Sequence, residues 1–428
     1  MVHSAAGEIA VMPVDLATEA GADLVRRTAD RHGDAIRGAA VLPERLFLLR
    51  SALAPGLRFV GGIATVERDG RVEVFNQAGT GDEIEDAFAA CLGETVERLA
   101  QIERGGDVVL RGNASEATGA RVLPQVAEAV RRCNPTGDLD AMPSIDWVEA
   151  RELASGHPTL VPADWCLRRP VEGPLRIAGS APSTGVAASP DPARATLSAL
   201  LELIERDAAA LWWVGGRRAR AWAADGQAMQ AGGAVLARVR QGVTSRASWL
   251  LDITTDLGVP CVAALSVDAD GRELACGLAA HLDAGLAARR AVLEMCQMEV
   301  SNLLVAAKLG AQGPDALDPF EQRLLARNAT IDATACELLH PHGPPRVVAP
   351  CDHLTANAAV ARLGDVLRRH DIDVALVHFA RVDMAFAVVS AVAPRLQLFP
   401  ADVVSARLQA VIRETGGGAR WTGGAALL

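Results

Sequence analysis

Two stretches of this 428-residue chain carry the same glutamate–arginine spacing on an apolar helical body. AACLGETVERLA presents Glu94, Glu97 and Arg98, and LSALLELIERDAAALWW presents Glu202, Glu205 and Arg206. Carboxylates three residues apart share a helix face and repel, at little cost on a solvated helix and much more on a buried one. The second helix is apolar nearly all round, through Leu200, Leu201, Leu203, Ile204, Ala208, Ala209, Leu211, Trp212 and Trp213, so it is expected to be buried. Buried carboxylates require a cation, a hydrogen-bond network or protonation. One such pattern is ordinarily a solvated face. Its repetition, with apolar wrapping, points to several carboxylates holding metal ions. A third helix adds Glu294 and Gln297, three residues apart on one face. Oxygen donors of this kind suit Mg²⁺, which takes one or two carboxylates together with phosphate oxygens and water.

No phosphate-binding P-loop and no complete G-x-G-x-x-G occurs; the turn Gly79-Thr80-Gly81 falls short of both. A bound nucleotide would therefore be neutralised by metal–carboxylate bridging, helped by Arg98 and Arg206. There is no G-x-S-x-G nucleophile motif, and His281 reads as a structural histidine at a strand end. Asp207 and Arg217-Arg218, beside Trp212-Trp213, read more simply as a helix end and a basic turn than as substrate contacts. The histidines between 340 and 353, with Cys336 and Cys351, have no recognised metal spacing.

A net charge of −10 gives no general basic surface and argues against nucleic acid as a partner. The eight cysteines include no C-x-x-C, so zinc knuckles and dithiol redox sites are not expected, and several cysteines read as reduced core residues. The start of the sequence lacks a signal-peptide pattern, and no apolar run approaches the roughly 20 residues that span a bilayer. A soluble, cytoplasmic protein with no membrane partner is expected.

The elements that must position the glutamates follow from periodicity and punctuation. Residues 1–45 read as one or two helices. Phe59–Val66 and Val72–Phe75 read as a hairpin turning at Asp69-Gly70. Asp82 caps a helix over about Ile84–Ile102, and Pro190-Asp191-Pro192 starts another that reaches about Trp213. Val259–Asp268 reads as a strand, followed by a second strand and a helix from about Ala284. Residues 309–350 read as an irregular insert with a short helix at Glu321–Arg327. Beyond it come a helix at Ala356–His370 and strands at Asp373–Phe379 and Phe386–Val392. Residues 105–175 give no firm pattern. Strand pairs alternating with long helices indicate a mixed α/β (α+β) architecture.

Taken together, the motif segments resemble the YcaO family of ATP-dependent enzymes that modify peptide backbones. AGTGDEIEDAFAACLGETVER is similar to its Gly-Lys-Gly turn and S-x-x-x-E-x-x-E-R helix, with Thr80 and Ala90 in place of the lysine and serine. SAPSTGVAASPDPARATLSALLELIERDAAALWW resembles its S-N-G turn, here Ser183-Thr184-Gly185, and its E-x-x-E-R-D-A helix. GLAAHLDAGLAARRAVLEMCQ is similar to its third element, and Ala380-Arg381-Val382-Asp383 and Ala393-Pro394-Arg395-Leu396 resemble its closing strands. The likeness runs from about Leu46 to the end. It sets residues 1–45 apart as a helical extension and makes 46–428 a YcaO-like catalytic domain, with sheets and long helices around a central ATP/Mg²⁺ site.

The resemblance implies metal and phosphate ligation by Glu94, Glu97, Glu202, Glu205, Glu294 and Gln297. Arg98 and Arg206 would be charge partners, and Ser183 and Thr184 would lie against the nucleotide. Glu202, Glu205, Arg206, Glu294 and Gln297 would carry the catalytic role. The implied activity is ATP-dependent cyclodehydration. A Cys, Ser or Thr side chain of a ribosomally made precursor peptide attacks the preceding amide, whose oxygen is phosphorylated and leaves as phosphate, giving a thiazoline or oxazoline. The implied partners are the precursor peptide, a protein that grips its leader and, in some systems, a flavin dehydrogenase, within a homodimer or hetero-complex. The proline-rich tail typical of many azoline formers is absent, which keeps backbone thioamidation or amidine formation as alternatives. A non-catalytic scaffold subunit is the third reading.

Overall fold

The computed structural model describes residues 9–68, 71–112, 116–117, 122–133, 144–169, 183–349, 351, 353–381, 383–398 and 403–427. The first half of the chain runs β1 Ile9–Val14, α1 Glu19–His32, α2 Ala35–Ala39, β2 Arg45–Ser51, β3 Arg58–Arg68, β4 Arg71–Gly81, α3 Ile84–Ala100, β5 Val108–Gly112, α4 Pro124–Arg132, β6 Ile145–Glu152, β7 Pro158–Pro162, β8 Val186–Ser189 and α5 Pro192–Trp213. The second half runs α6 Gln227–Arg240, β9 Ala247–Asp252, β10 Cys261–Val267, β11 Ala275–Ala280, α7 Ala284–Gln312, α8 Pro319–Thr330, α9 Ala356–Arg369, β12 Ala375–Phe379, β13 Ala387–Val392, α10 Ala406–Thr415 and α11 Ala419–Thr422.

These elements form two compact units. The first comprises residues up to Thr95, Trp212–Asp352 and Val411 onward; the second comprises Val96–Leu211 and His353–Ala410. Within the first unit, β1 to β4 pair in chain order as an antiparallel sheet, and β9, β10 and β11 form a second antiparallel sheet with β10 at its centre. Its core gathers Ile9, Phe59, Val235, Val262, Ala264 and the alanines of α7, with Ala287, Ala288 and Ala291 fully enclosed. Small residues let α7 lie almost on the strands. A Cβ on Gly277 of β11 would stand 2.1 Å from both the Ala291 carbonyl oxygen and the Met295 nitrogen. Gly277→Ala is therefore expected to cost about 1–3 kcal/mol. The check is the melting temperature of the purified protein, and an unchanged melt would mean that α7 can shift away.

The second unit is built on one antiparallel sheet in the order β5-β6-β12-β13-β8, with β7 also paired to β6. The order is not sequential, so β8, the strand that feeds α5, lies against β13 from far along the chain. The hairpin of β3 and β4, α3, α5, the start of α7 and the two late strands match the expected elements; the Asp69-Gly70 turn lies outside the described residues. Where one or two helices are expected, residues 9–45 hold two, and also strand β1, whose partner β2 begins at Arg45, so its pairing is non-local. The unplaced stretch 105–175 supplies β5, α4, β6 and β7. Among the described residues, no helix is long and apolar enough to cross a membrane.

Candidate functional site

Four motif glutamates, Glu94, Glu97, Glu202 and Glu294, are each held by a main-chain N–H of a neighbouring strand or turn. In the first unit, Ala78 of β4 donates its N–H to Glu94 Oε2 at 2.7 Å, and Leu278 of β11 donates to Glu294 Oε2 at 3.0 Å. Both pairs are sixteen residues apart in sequence, so the same strand–turn–helix step is used twice. Two residues beyond Ala78, the Thr80 hydroxyl donates to Gln297 Oε1 at 3.2 Å. The end of β4 thus brings Glu94 of α3 and Gln297 of α7 together.

The second unit repeats the device on β8. Ala188 donates its N–H to Glu97 Oε1 at 2.8 Å, and Gly185 donates to Glu202 Oε2 at 3.1 Å. The Val186 N–H also bonds the Glu202 carboxylate. Gly185 has φ +76, and a Cβ there would stand 2.6 Å from the Ala391 carbonyl oxygen and 2.8 Å from Leu203. Only glycine lets this turn present its N–H to α5. Of the preceding residues, Ser183 is exposed and Thr184 is buried. Arg206 Nη1 lies 3.1 Å from Glu205 Oε1, and its Nη2 lies 3.5 Å from Glu202 Oε1, so the arginine offsets the repulsion between the two carboxylates. Arg98 follows Glu97 on α3 and is half-buried.

The glutamates of α5 are not fully enclosed, as the apolar sequence around them led one to expect. Leu200, Leu203, Ile204 and the tryptophans are buried, but Glu202, Glu205 and Arg206 keep 23%, 13% and 19% of their side-chain surface exposed. They form a polar stripe, partly open to solvent, on an otherwise apolar helix. The position is costly for charge even so. Burial pushes the Glu202 carboxyl up to about 7; Glu205 adds to the rise, while Arg206 and the N–H groups of Gly185 and Val186 pull it back. A divalent cation would relieve that cost, and the donors are hard oxygens. Among the described residues no group of three or more His, Cys, Asp or Glu side chains forms a chelating cluster. This covers the described histidines and cysteines between 336 and 353. A magnesium ion sharing its coordination among a few carboxylates, water and phosphate fits such a donor set.

Several neighbours of the motifs have structural roles. Asp207 is buried, paired with Arg407 at 2.9 Å and bonded by the Gln397 N–H at 2.9 Å, so it anchors the segment before α10. Arg217 donates to the carbonyls of Ile253 and Thr254, and Arg218 pairs with Glu337. His281 accepts the Asp283 N–H, and burial lowers its pKa, which keeps the ring neutral, as expected of a structural histidine. Trp212 and Trp213 meet edge to face and donate to the carbonyls of Leu338 and Ala425. All eight cysteines are free thiols. Two features escaped the sequence reading. Arg381 donates to the carbonyls of Ala100 and Ile102 at the end of α3 and pairs with Asp107 at 2.7 Å, which fixes the helix end beyond Glu97. Glu299, on another face of α7 from Glu294, is buried with Arg240 and Arg246. The repeated strand-to-glutamate spacing was the available signal for the N–H clamps; Arg381 stood out in the sequence only within the stretch that resembles the family's closing strands, with no role attached to it.

A family profile described as YcaO cyclodehydratase, ATP- and Mg²⁺-binding, matches residues 78–397. A curated relative from Rhizobium leguminosarum bv. trifolii, an uncharacterized protein in the tfuA 3′ region, is 27% identical over 420 residues, covering 90% of this chain and 94% of the relative. Among solved structures, a heterocyclase in complex with substrate and cofactor aligns with a TM-score of 0.71 at 20% identity; the match covers 92% of this chain but only 55% of that protein. The chain thus spans about half the length of that heterocyclase. YcaO from Methanopyrus kandleri, bound with AMPPCP and Mg²⁺, aligns with a TM-score of 0.59 at 20% identity over 87% of this chain and 91% of that one. The profile takes in the end of β4, α3, β8, α5, β11, α7 and the two closing strands, the parts that carry or clamp a motif glutamate, and on that match the chain belongs to the YcaO family of ATP- and Mg²⁺-binding enzymes.

Proposed function

We propose that this protein modifies a ribosomally made precursor peptide, using ATP and Mg²⁺ to close Cys, Ser or Thr side chains onto the preceding backbone amide as thiazolines or oxazolines. Family membership supports the reading. The observation that carries it is the clamping of Glu94, Glu97, Glu202 and Glu294 by main-chain N–H groups, which presents oxygen donors in fixed orientation. We assign Glu94, Glu97, Glu202, Glu205 and Glu294 to magnesium, and Arg98, Arg206, Ser183, Thr184 and Gln297 to the nucleotide.

Bound Mg·ATP supplies the phosphoryl group that turns a poor leaving group, the amide oxygen, into phosphate. The side-chain heteroatom bonds to the amide carbon and gives up its proton, the phosphorylated oxygen leaves as the carbon–oxygen bond breaks, the amide nitrogen gives up its proton as the C=N bond forms, and ADP, phosphate and the azoline are the products. The chain's own contribution is preorganisation. Clamped carboxylates need little movement to meet a cation, and fixed charges act most strongly where no reorganisation is required. Arg206 would exchange part of its contact with Glu202 and Glu205 for phosphate oxygens once a cation takes over their charge. A leader-binding protein, and a flavin dehydrogenase acting after ring closure, are the proposed partners.

The deciding experiment incubates the protein with its precursor peptide, partner proteins, ATP and Mg²⁺, and follows phosphate release and peptide mass. Loss of one water per modified residue, matched by phosphate release, is the expected result. Exchange of oxygen for sulfur would move the assignment to thioamidation. An unmodified peptide with no phosphate release would leave a non-catalytic scaffold.

A further inference from the structure

Thr80 stands at the end of β4, where the strand passes α3 so closely that a Cβ on Gly79 would lie 2.2 Å from the Ala87 carbonyl oxygen and 2.3 Å from the Cys91 nitrogen. Neighbouring residues on a strand face opposite ways. Gly79 faces α3, and Thr80 is turned the other way, where its hydroxyl donates to Gln297 Oε1 at 3.2 Å. A primary carboxamide has an acceptor end and a donor end. With the oxygen held by Thr80, the NH₂ end is directed away from β4. Glu294 precedes Gln297 by one turn on the same face of α7. Beside a carboxylate, the donor end is also the electrostatically favoured one to present.

We propose that Thr80 is a positioning residue that fixes the Gln297 carboxamide with its NH₂ toward the ligand, making Gln297 a donor to phosphate oxygens of the nucleotide and not a ligand of magnesium. The inference rests on the ATP reading above and deepens it. It splits the third helix into two tasks: Glu294 offers an anionic oxygen to the metal, and Gln297 offers a neutral donor to the triphosphate. Placed among acidic residues, a donor without charge contacts the phosphate chain without competing with the cation for the carboxylates.

The two roles of Gln297 predict opposite effects of one substitution. As an oxygen ligand of magnesium, Gln297→Glu would bind the metal nucleotide as tightly as the native protein or more so. As a phosphate donor, Gln297→Glu places a negative charge against the triphosphate, and affinity is expected to fall about ten- to hundredfold, the range of a lost hydrogen bond to a charged group. Thr80→Val removes the hydroxyl at nearly constant volume and is expected to weaken binding several-fold, whereas Thr80→Ser keeps the native affinity. The measurement is calorimetric titration of the full-length protein with Mg²⁺ and a non-hydrolysable ATP analogue, with a melting curve for each variant to confirm folding. If Thr80 acts through Gln297, Thr80→Val adds nothing once Gln297→Ala is present. Tight binding by Gln297→Glu, or full additivity of Thr80→Val and Gln297→Ala, overturns the inference and leaves the ATP reading standing. Native protein that does not bind the analogue removes the ATP reading itself, and this inference with it.

Discussion

Glu294→Ala and Glu202→Ala are each expected to lower ATP-dependent phosphate release at least a hundredfold, the order of loss when one preorganised electrostatic contact to a reacting group is removed. Each carboxylate is fixed by main-chain N–H groups, Leu278 for Glu294 and Gly185 with Val186 for Glu202. Truncation to alanine therefore removes an oriented donor that no mobile side chain can replace. The fold is not expected to suffer in proportion. Glu202 lies in a position where burial raises its pKa to about 7, so its removal relieves a desolvation cost and does not leave a hole in an apolar core. Activity and stability should thus part company, as at sites where a strained residue is kept for function. Phosphate assays beside denaturation curves test both halves. Wild-type rates in both variants would discard the assignment of these residues.

The second large effect is on pH. The Glu202 carboxyl titrates near 7 in the folded protein against an ordinary value of 4.5. Between those values the folded state binds more protons than the unfolded chain, so stability falls as pH rises through the window. The difference in pKa sets an upper limit of about 3 kcal/mol for the ligand-free protein. A metal ion reverses the preference. If Glu202 ligates magnesium as proposed, Mg·ATP displaces the Glu202 proton, and its affinity is expected to climb from about pH 5 to pH 7 and level off above the carboxyl's titration. Glu202→Gln, which cannot titrate, should flatten this group's part of the stability profile and weaken nucleotide binding at every pH. Melting temperatures from pH 5 to pH 8, with and without Mg·ATP, are the measurement. A native stability profile that Glu202→Gln leaves unchanged would show that the Glu202 proton takes no part.

The Arg206 and Glu205 contacts matter to both expectations. Arg206 approaches Glu202 at 3.5 Å, which is loose beside its 3.1 Å contact with Glu205. The arginine therefore only partly offsets the burial of Glu202, which is why the carboxyl stays raised despite a cationic neighbour.

What the sequence by itself determined is the inventory and much of the local structure. Glu94, Glu97, Glu202, Glu205, Glu294 and Gln297 were legible because their spacing lies within single helices, where three residues bring side chains to one face. The long helices and the main hairpin were legible because hydrophobic periodicity and turn residues are local signals. The tertiary structure decided what those signals cannot carry. Strand β1 and the sheet containing β8 exist through partners far along the chain: β1 pairs with β2 from Arg45, and β8 pairs with β13 from Ala387. Their residues carry no strong pattern of their own. The exposure of Glu202 and Glu205 depended on which stripe of an almost wholly apolar helix the surrounding chain leaves uncovered. The N–H clamps on the glutamates were invisible because main-chain donors have no sequence identity, and Thr80 met Gln297 across 217 residues because a glycine let β4 press against α3. Side-chain type and helical period are written residue by residue; which backbone group faces which carboxylate is fixed only when distant segments pack.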